Sequence, residues 1–240
     1  MSGTRSDRRY RTLYLVAGVA SIVFVLLSLS ALAVAAIAPA PVTGGAETLE
    51  SIADHRATYV AEQLLWIVPG VLPVLTYLGL YIALRDTCPS WALIGVVVGA
   101  LPWALMLALP VSSHGSLVLV TLSDSYAAAD TPEARTAYAA AAAAIIAGID
   151  TPGILGALAS VGILVISVLM TKGPLPRTVA WLGIAAGAVG LLGEVLRSAL
   201  PSIDAVHGLL VGTWFAMVGV SLLRRAARMS RRFAPVGAAS

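Results

Sequence analysis

Apolar residues run through this chain in long blocks, separated by short stretches of proline, glycine and charged residues. A helix rising about 1.5 Å per residue needs roughly 20 apolar residues to cross a hydrocarbon core about 30 Å thick. Six blocks reach that length, at residues 12–37, 55–84, 91–111, 153–171, 178–199 and 205–223. They predict an all-α protein, a polytopic membrane helical bundle of six transmembrane helices. Spans of about 20 residues use half of the 240, so the connections are short and a single transmembrane domain over 1–240 is expected.

The interruptions refine this map. Pro69, Gly70 and Pro73 fall in the middle of the second block, where a membrane helix kinks rather than ends. Pro102 does the same in the third. Continuing that third helix to Leu122 would make it about 48 Å long, so a break is expected at 110–115. Residues 38–53 hold Pro39, Pro41, Gly44, Gly45, Glu47 and Glu50 and read as an external loop, with Asp54 as the N-cap of the second span. Thr131-Pro132-Glu133 has the chemistry of a helix start: a capping hydroxyl, a proline in the first turn and an acid near the positive dipole end. The alanine-rich helix that follows, 132–147, is expected to lie against the external mouth of the bundle. Asp150-Thr151-Pro152 repeats the start signal before the fourth span. The first block is led by Arg5, Arg8, Arg9 and Arg11, but its apolar core exceeds the roughly 7–15 residues of a signal peptide. An uncleaved span is expected.

Composition agrees: 59% of residues are hydrophobic and only 11% charged, against roughly a quarter charged in soluble domains. The net charge of +3 and pI of 9.3 might point to nucleic acid, but the basic residues sit at helix ends and in two tails rather than on one stripe. Topology explains them better, and no nucleic-acid partner is expected. Threading the map places Arg5, Arg8, Arg9, Arg11, Arg85, Lys172, Arg177 and five C-terminal arginines on one side, 12 of the 15 Lys and Arg residues. Arg56, Arg135 and Arg197 fall opposite. By the positive-inside rule the crowded side, with both termini, is cytoplasmic in a multipass protein of the cell membrane. The lone Cys88 excludes an internal disulfide.

Three stretches carry a family resemblance: residues 56–62 opening the second span, Tyr77-Leu78-Gly79-Leu80-Tyr81 before a basic turn, and Gly173-Pro174-Leu175-Pro176-Arg177 followed by Ala180-Trp181-Leu182-Gly183. In this order they resemble an uncharacterised family of bacterial six-helix integral membrane proteins, a domain of unknown function. The resemblance covers most of the chain and implies the same six-helix fold. It assigns no activity, and no residue gains a role from it.

Candidate chemistry therefore rests on the residues alone. Gly183, Gly187 and Gly190 share one face of the fifth span, where another backbone can approach closely, and four residues further that face reaches Glu194. Arg197 is placed to pair with Glu194. In the last span Gly208, Gly212, Ala216 and Gly219 make a second small-residue face, which Asp204 extends outward and His207 borders. Glu62 and Gln63 lie about 12 Å of helical rise beyond Asp54, at or inside the hydrocarbon boundary. A carboxylate there needs a partner or a proton, and Arg197 across the bundle is one candidate. With Asp150 and His114 at comparable heights, Glu62, Gln63, His114, Asp150, Glu194, Arg197, Asp204 and His207 form an expected ring of ligand-binding candidates near the external face.

Simpler roles compete with this reading. Asp54, Asp150 and Asp204 can be helix caps, Glu194 with Arg197 a structural ion pair, His207 an interfacial histidine and His114 a loop residue. Glu62 is neither a cap nor paired within its own helix. Tyr59, Tyr126 and Tyr138 read as interface aromatics. Nucleotide-binding, zinc-protease, CxxC and serine-hydrolase motifs are absent, and the histidines and acids come singly from different helices, so no metal or cofactor is expected. Three functions stay open. The first is binding or transport of a small cationic or lipophilic ligand through an acid-rich external mouth. The second is a non-catalytic subunit or assembly factor that packs on a membrane protein partner or a second copy. The third is a membrane-embedded enzyme using Glu62 or Glu194 as general acid on an apolar substrate.

Overall fold

The computed structural model describes residues 10–37, 44–108, 111–112, 115–150, 153–196 and 202–231. Ten α-helices fill these residues: α1 Arg11–Ile37, α2 Gly45–Asp54, α3 Arg56–Ile67, α4 Val71–Leu84, α5 Pro89–Ala108, α6 Val118–Ala127, α7 Pro132–Asp150, α8 Ile154–Met170, α9 Arg177–Leu196 and α10 Ser202–Arg231. Between α3 and α4 lies one 3₁₀ turn, Val68–Gly70, and between α5 and α6 a two-stranded hairpin, β1 Val111–Ser112 and β2 Gly115–Ser116. Six stretches are long and apolar enough to cross a membrane: Arg11–Ile37, Arg56–Leu84, Pro89–Ala108, Pro132–Met170, Arg177–Leu196 and Ile203–Ser230. The chain is a helical, membrane-type protein.

Local chemistry explains these boundaries. The second span bends at Pro69 and Gly70, because proline cannot supply its N–H to the helix and the turn tightens to 3₁₀ around it. Pro102 stays inside α5. Proline in the first helical position opens both α5 and α7, where a missing N–H costs nothing. At α7 the Thr131 hydroxyl accepts from the Ala134 amide at 3.2 Å, the expected cap, and the helix runs three residues past the expected 147. The break expected at 110–115 is where the hairpin forms.

Three expectations are corrected. Residues 45–54 are a helix, not a loop: Thr48, Leu49 and Ile52 bury one face at helical spacing, which outweighs the turn-rich composition. Asp54 accordingly closes α2 instead of capping α3, whose N-cap is His55. Asp150 likewise ends α7 rather than opening α8, which begins at Ile154. The third span starts at Pro89 and ends at Ala108, and the last continues through its arginines to Arg231.

The chain divides into two compact units. The bundle unit comprises Met1–Val25, Leu72–Trp103 and Ile154–Ser240. Its core joins Tyr14 and Ala17 of α1, Tyr77 and Leu80 of α4, Val96 of α5, Ile163 and Ile166 of α8, and Trp214, Phe215 and Val218 of α10. Phe24, Trp103, Phe215, Trp214 and Tyr77 pack edge to face or tilted, with centroids 4.9–6.4 Å apart. The first and last helices are tied along their length. Ser21 Oγ donates to the Phe215 carbonyl at 2.6 Å and Arg11 Nε to Ser230 Oγ at 2.7 Å. At this end the Arg85 guanidinium covers the Tyr10 ring and that of Arg225 covers Tyr14.

The hairpin unit comprises Leu26–Val71 and Ala104–Gly153. Helices α2, α6 and α7 pack on one another around Leu49, Ile52, Leu119, Val120, Ala142 and Ile146, with Tyr59 of α3 against them. Ser123 Oγ donates to the Leu49 carbonyl at 2.6 Å, and the Tyr126 hydroxyl donates to Glu50 Oε1 at 3.0 Å.

Candidate functional site

In the hairpin unit the buried polar groups gather on α3. The Tyr59 hydroxyl donates to the Ser116 carbonyl and accepts from the Ser116 amide, both at 3.1 Å, so one side chain satisfies both backbone groups of a strand residue. Ser112 Oγ donates to Gln63 Oε1 at 2.9 Å. Gly115 lies between these contacts with φ +154°, and any side chain there would press on the Tyr59 hydroxyl and the Gln63 amide. Tyr59 is thus buried, at 3% exposure, and is a structural pin rather than an interface aromatic.

Glu62 stands beside this pin and is only 4% exposed. The Trp66 indole, one turn along α3, lies beside its carboxylate. Two ion pairs are Arg56 with Asp124, at the exposed start of α3, and Arg85 with Asp86. Neither involves Glu62. A carboxylate buried on a membrane-spanning helix without a basic partner is costly, by up to roughly 2.5–3.5 kcal/mol at full depth. Gln63, fully buried, is instead occupied by the hairpin.

In the bundle unit Glu194, Asp204 and His207 each lie against a glycine of α8 or α9. The Glu194 carboxylate reaches across to Gly156 of α8 and lies where a side chain of that glycine would begin. Asp204, in the first turn of α10, approaches Gly193. The His207 ring lies against Gly190, with Ser160 Oγ on the same glycine, and its Nδ1 is 3.2 Å from the Ala186 carbonyl. The carbonyl can only accept, so Nδ1 carries a proton in this contact.

The small-residue faces behave differently from each other. Gly183, Gly187 and Gly190 do meet neighbours, Gly187 against the Ser160 carbonyl, as the spacing predicts. Gly208 and Gly212 do not: among the described residues nothing lies within 4 Å of where their side chains would start, and of the glycines on that face Gly219 packs, against Gly18 and Ile22. The expected inward face of the last span is therefore open along its outer half. His114 and Arg197 lie outside the described residues, as does the side chain of Asp150. Ser112, Ser116, Ser160, Ser167 and Trp214 were not singled out by sequence, and Tyr59 was read only as an interface aromatic. Ser160 and Ser167, and Trp214 with His207, are each seven residues apart on one helix face, a spacing that could have found three of these groups on α8 and α10.

Among the described residues no group of three or more His, Cys, Asp or Glu side chains is placed to hold a metal ion. A family model described as "Domain of unknown function (DUF4386)" matches residues 12–225. No curated protein and no solved structure matches the chain.

Proposed function

The chain belongs to the family of the domain of unknown function DUF4386, and within it we propose a multipass cell-membrane protein that binds or transports a small cationic or lipophilic ligand. One observation carries this reading. Glu62 is a buried acid on a membrane-spanning helix, with an indole beside it and no basic side chain paired to it among the described residues. A positively charged ligand supplies the missing counter-charge, and the surrounding apolar helices favour a lipophilic one.

The orientation follows from charge. Arg11, Arg85 and Arg225 gather at one end of the bundle unit, which supports placing that end and both termini in the cytoplasm. Glu194, Asp204 and His207 then belong to the external end of α8–α10, and the alanine-rich helix α7 lies on the same side, against the external mouth.

The test uses the purified full chain in lipid nanodiscs, with tetraphenylphosphonium as a lipophilic cation. Glu62→Gln keeps the size and hydrogen bonding of the side chain, so its melting temperature should match the wild type. Its affinity for the probe should fall by about tenfold or more, the loss of one buried charge pair. Equal affinity in both proteins would remove Glu62 from the reading. A second reading, a subunit packing on a membrane partner, is favoured by the open Gly208–Gly212 face of α10, since small residues let transmembrane helices approach closely.

A further inference from the structure

Helices α1 and α4 touch closely at one level and leave a groove beside it. Gly79 of α4 is set against the Ala17 methyl, and Thr76 Oγ1 donates to the Leu72 carbonyl at 3.1 Å and to the Ala17 carbonyl at 3.4 Å. Alongside this contact Leu15, Val19, Ala20 and Val23 of α1 and Leu72 and Leu75 of α4 line a groove of about 370 Å³. Ala20, small and buried, is its floor, while Val16 and Val19, half exposed, stand on its rim. Every residue that lines it is apolar.

Its dimensions decide what fits. The lining of α1 runs from Leu15 to Val23, about 12 Å of helical rise, and Leu15 follows Arg11 by one turn, about 6 Å. The groove therefore begins one turn inside Arg11 and ends about 18 Å from it, close to half of a hydrocarbon core about 30 Å thick. It belongs to one leaflet. A helix about 10 Å across would need on the order of 900 Å³ over the same length, so the groove takes a narrow flexible chain and not a further transmembrane helix.

The end of the groove nearer Arg11 is basic. Arg11 stands four residues before Leu15, on the same face of α1, and is exposed. It uses one of its five guanidinium donors, Nε, on Ser230 Oγ at 2.7 Å, a bond that steadies the side chain. The Arg85 guanidinium lies over the ring of Tyr10, the residue before Arg11, 4.5 Å from its centroid, and brings a second cation to the same place. Asp86, 3.8 Å from Arg85 and largely exposed, is the acid at this end among the described residues, since Glu194 and Asp204 lie near the opposite ends of α9 and α10.

We propose that the groove between α1 and α4 seats one acyl chain of an anionic phospholipid, whose phosphate is held by the Nη donors of Arg11 beside Arg85. The contacts of both arginines stay in place, because a phosphate takes the remaining fork of Arg11 while Nε stays on Ser230. A zwitterionic lipid would bring a cation of its own beside two guanidinium groups, whereas an anionic one brings only charge of the complementary sign. The site lies within the bundle unit, holds whichever side of the membrane the arginine end faces, and is independent of the role proposed for Glu62.

The experiment titrates the delipidated full chain in detergent with palmitoyl-oleoyl phosphatidylglycerol, or with the phosphatidylcholine of the same chains, and counts bound lipids by native mass spectrometry. The first phosphatidylglycerol should bind at least about fivefold more tightly than phosphatidylcholine, and Arg11→Gln should remove that preference while leaving phosphatidylcholine unchanged. Arg228→Gln removes the same charge two residues from Ser230, on the far side of α10, and should leave the preference intact. Val19→Trp fills the groove from its exposed rim and should weaken both lipids, with Val16→Trp taking its place if that variant fails to fold. Equal binding of the two lipids, an equal loss in Arg228→Gln, or full binding in the tryptophan variant would each overturn the site. So would a delipidated chain that forms a dimer which phosphatidylglycerol does not disperse, since a second copy would then cover the groove.

Discussion

The two units of this chain are held together by opposite means. In the bundle unit helices approach through small residues, Gly162 of α8 against the Gly99 backbone of α5 and Gly187 of α9 against the Ser160 carbonyl, and the polar atoms at the centre have few partners. In the hairpin unit a short β-turn and three short helices are pinned by side chains that bond the backbone directly, as Tyr59 does to Ser116 and Ser123 to Leu49. Where lipid is the solvent, apolar contact gives no advantage over lipid, so close packing decides the structure. Segments too short to hydrogen-bond themselves must find partners elsewhere. The contrast separates a part built for close fit from one built for satisfied polar groups.

The sharpest way to break this comparison is to enlarge a glycine. Gly162→Leu sets a side chain into the Gly99 backbone, which has no rotamer to move, and should destabilise the protein by more than about 3 kcal/mol. Gly212→Leu, entering open space, should change stability by less than about 0.5 kcal/mol. Thermal melting in nanodiscs compares them, and coincident curves would show that close glycine contact does not hold the bundle.

The hairpin unit should answer to a smaller change. Tyr59→Phe preserves the ring but removes the hydroxyl that bonds the buried Ser116 amide and carbonyl, a loss of about 2 kcal/mol. Hydrogen exchange at the Ser116 amide should rise accordingly, while amides of α9 remain unchanged. Acceleration in both units would mean that they do not respond separately.

The smallest effect is electrostatic and outside the membrane spans. The Tyr126 hydroxyl donates to the Glu50 carboxylate, and this bond raises the phenol above its ordinary value. The bond is intact below the ordinary phenol range and is lost as pH rises through the raised value. In an ultraviolet titration Tyr126 should ionise at higher pH than a free tyrosine, and Glu50→Gln should bring it down. An identical titration in Glu50→Gln would remove this bond from the description.

How much of this was legible beforehand depended on how local the cause was. The six spans follow from apolar length alone, and the Pro69–Gly70 break and the Thr131 cap follow from residues within one turn. Helix α2 was hidden because prolines and glycines nearby signal a loop more loudly than the buried spacing of Thr48, Leu49 and Ile52 signals a helix. The Tyr59 pin could not be read, since its partner lies 57 residues away in a turn that has no pattern of its own. Gly208 and Gly212 show a further limit. Spacing says which residues share a face, but not whether a neighbour covers it. The expected ring is likewise divided: Glu194, Asp204 and His207 belong to the bundle unit, while Glu62 and Gln63 belong to the hairpin unit.

The bond between Ser21 and Phe215 spans nearly the whole polypeptide, 194 residues apart, and that of Arg11 with Ser230 spans 219. A ribosome adding about 5–20 residues per second needs on the order of ten to forty seconds between making one partner and the other. During that interval α1 is already in the bilayer, and the Ser21 hydroxyl has no Phe215 carbonyl to meet. Helix α1 therefore has α4 as its earlier neighbour, through Thr76 and Gly79 against Ala17, and a chain stopped before α10 leaves the Ser21 side of α1 uncovered.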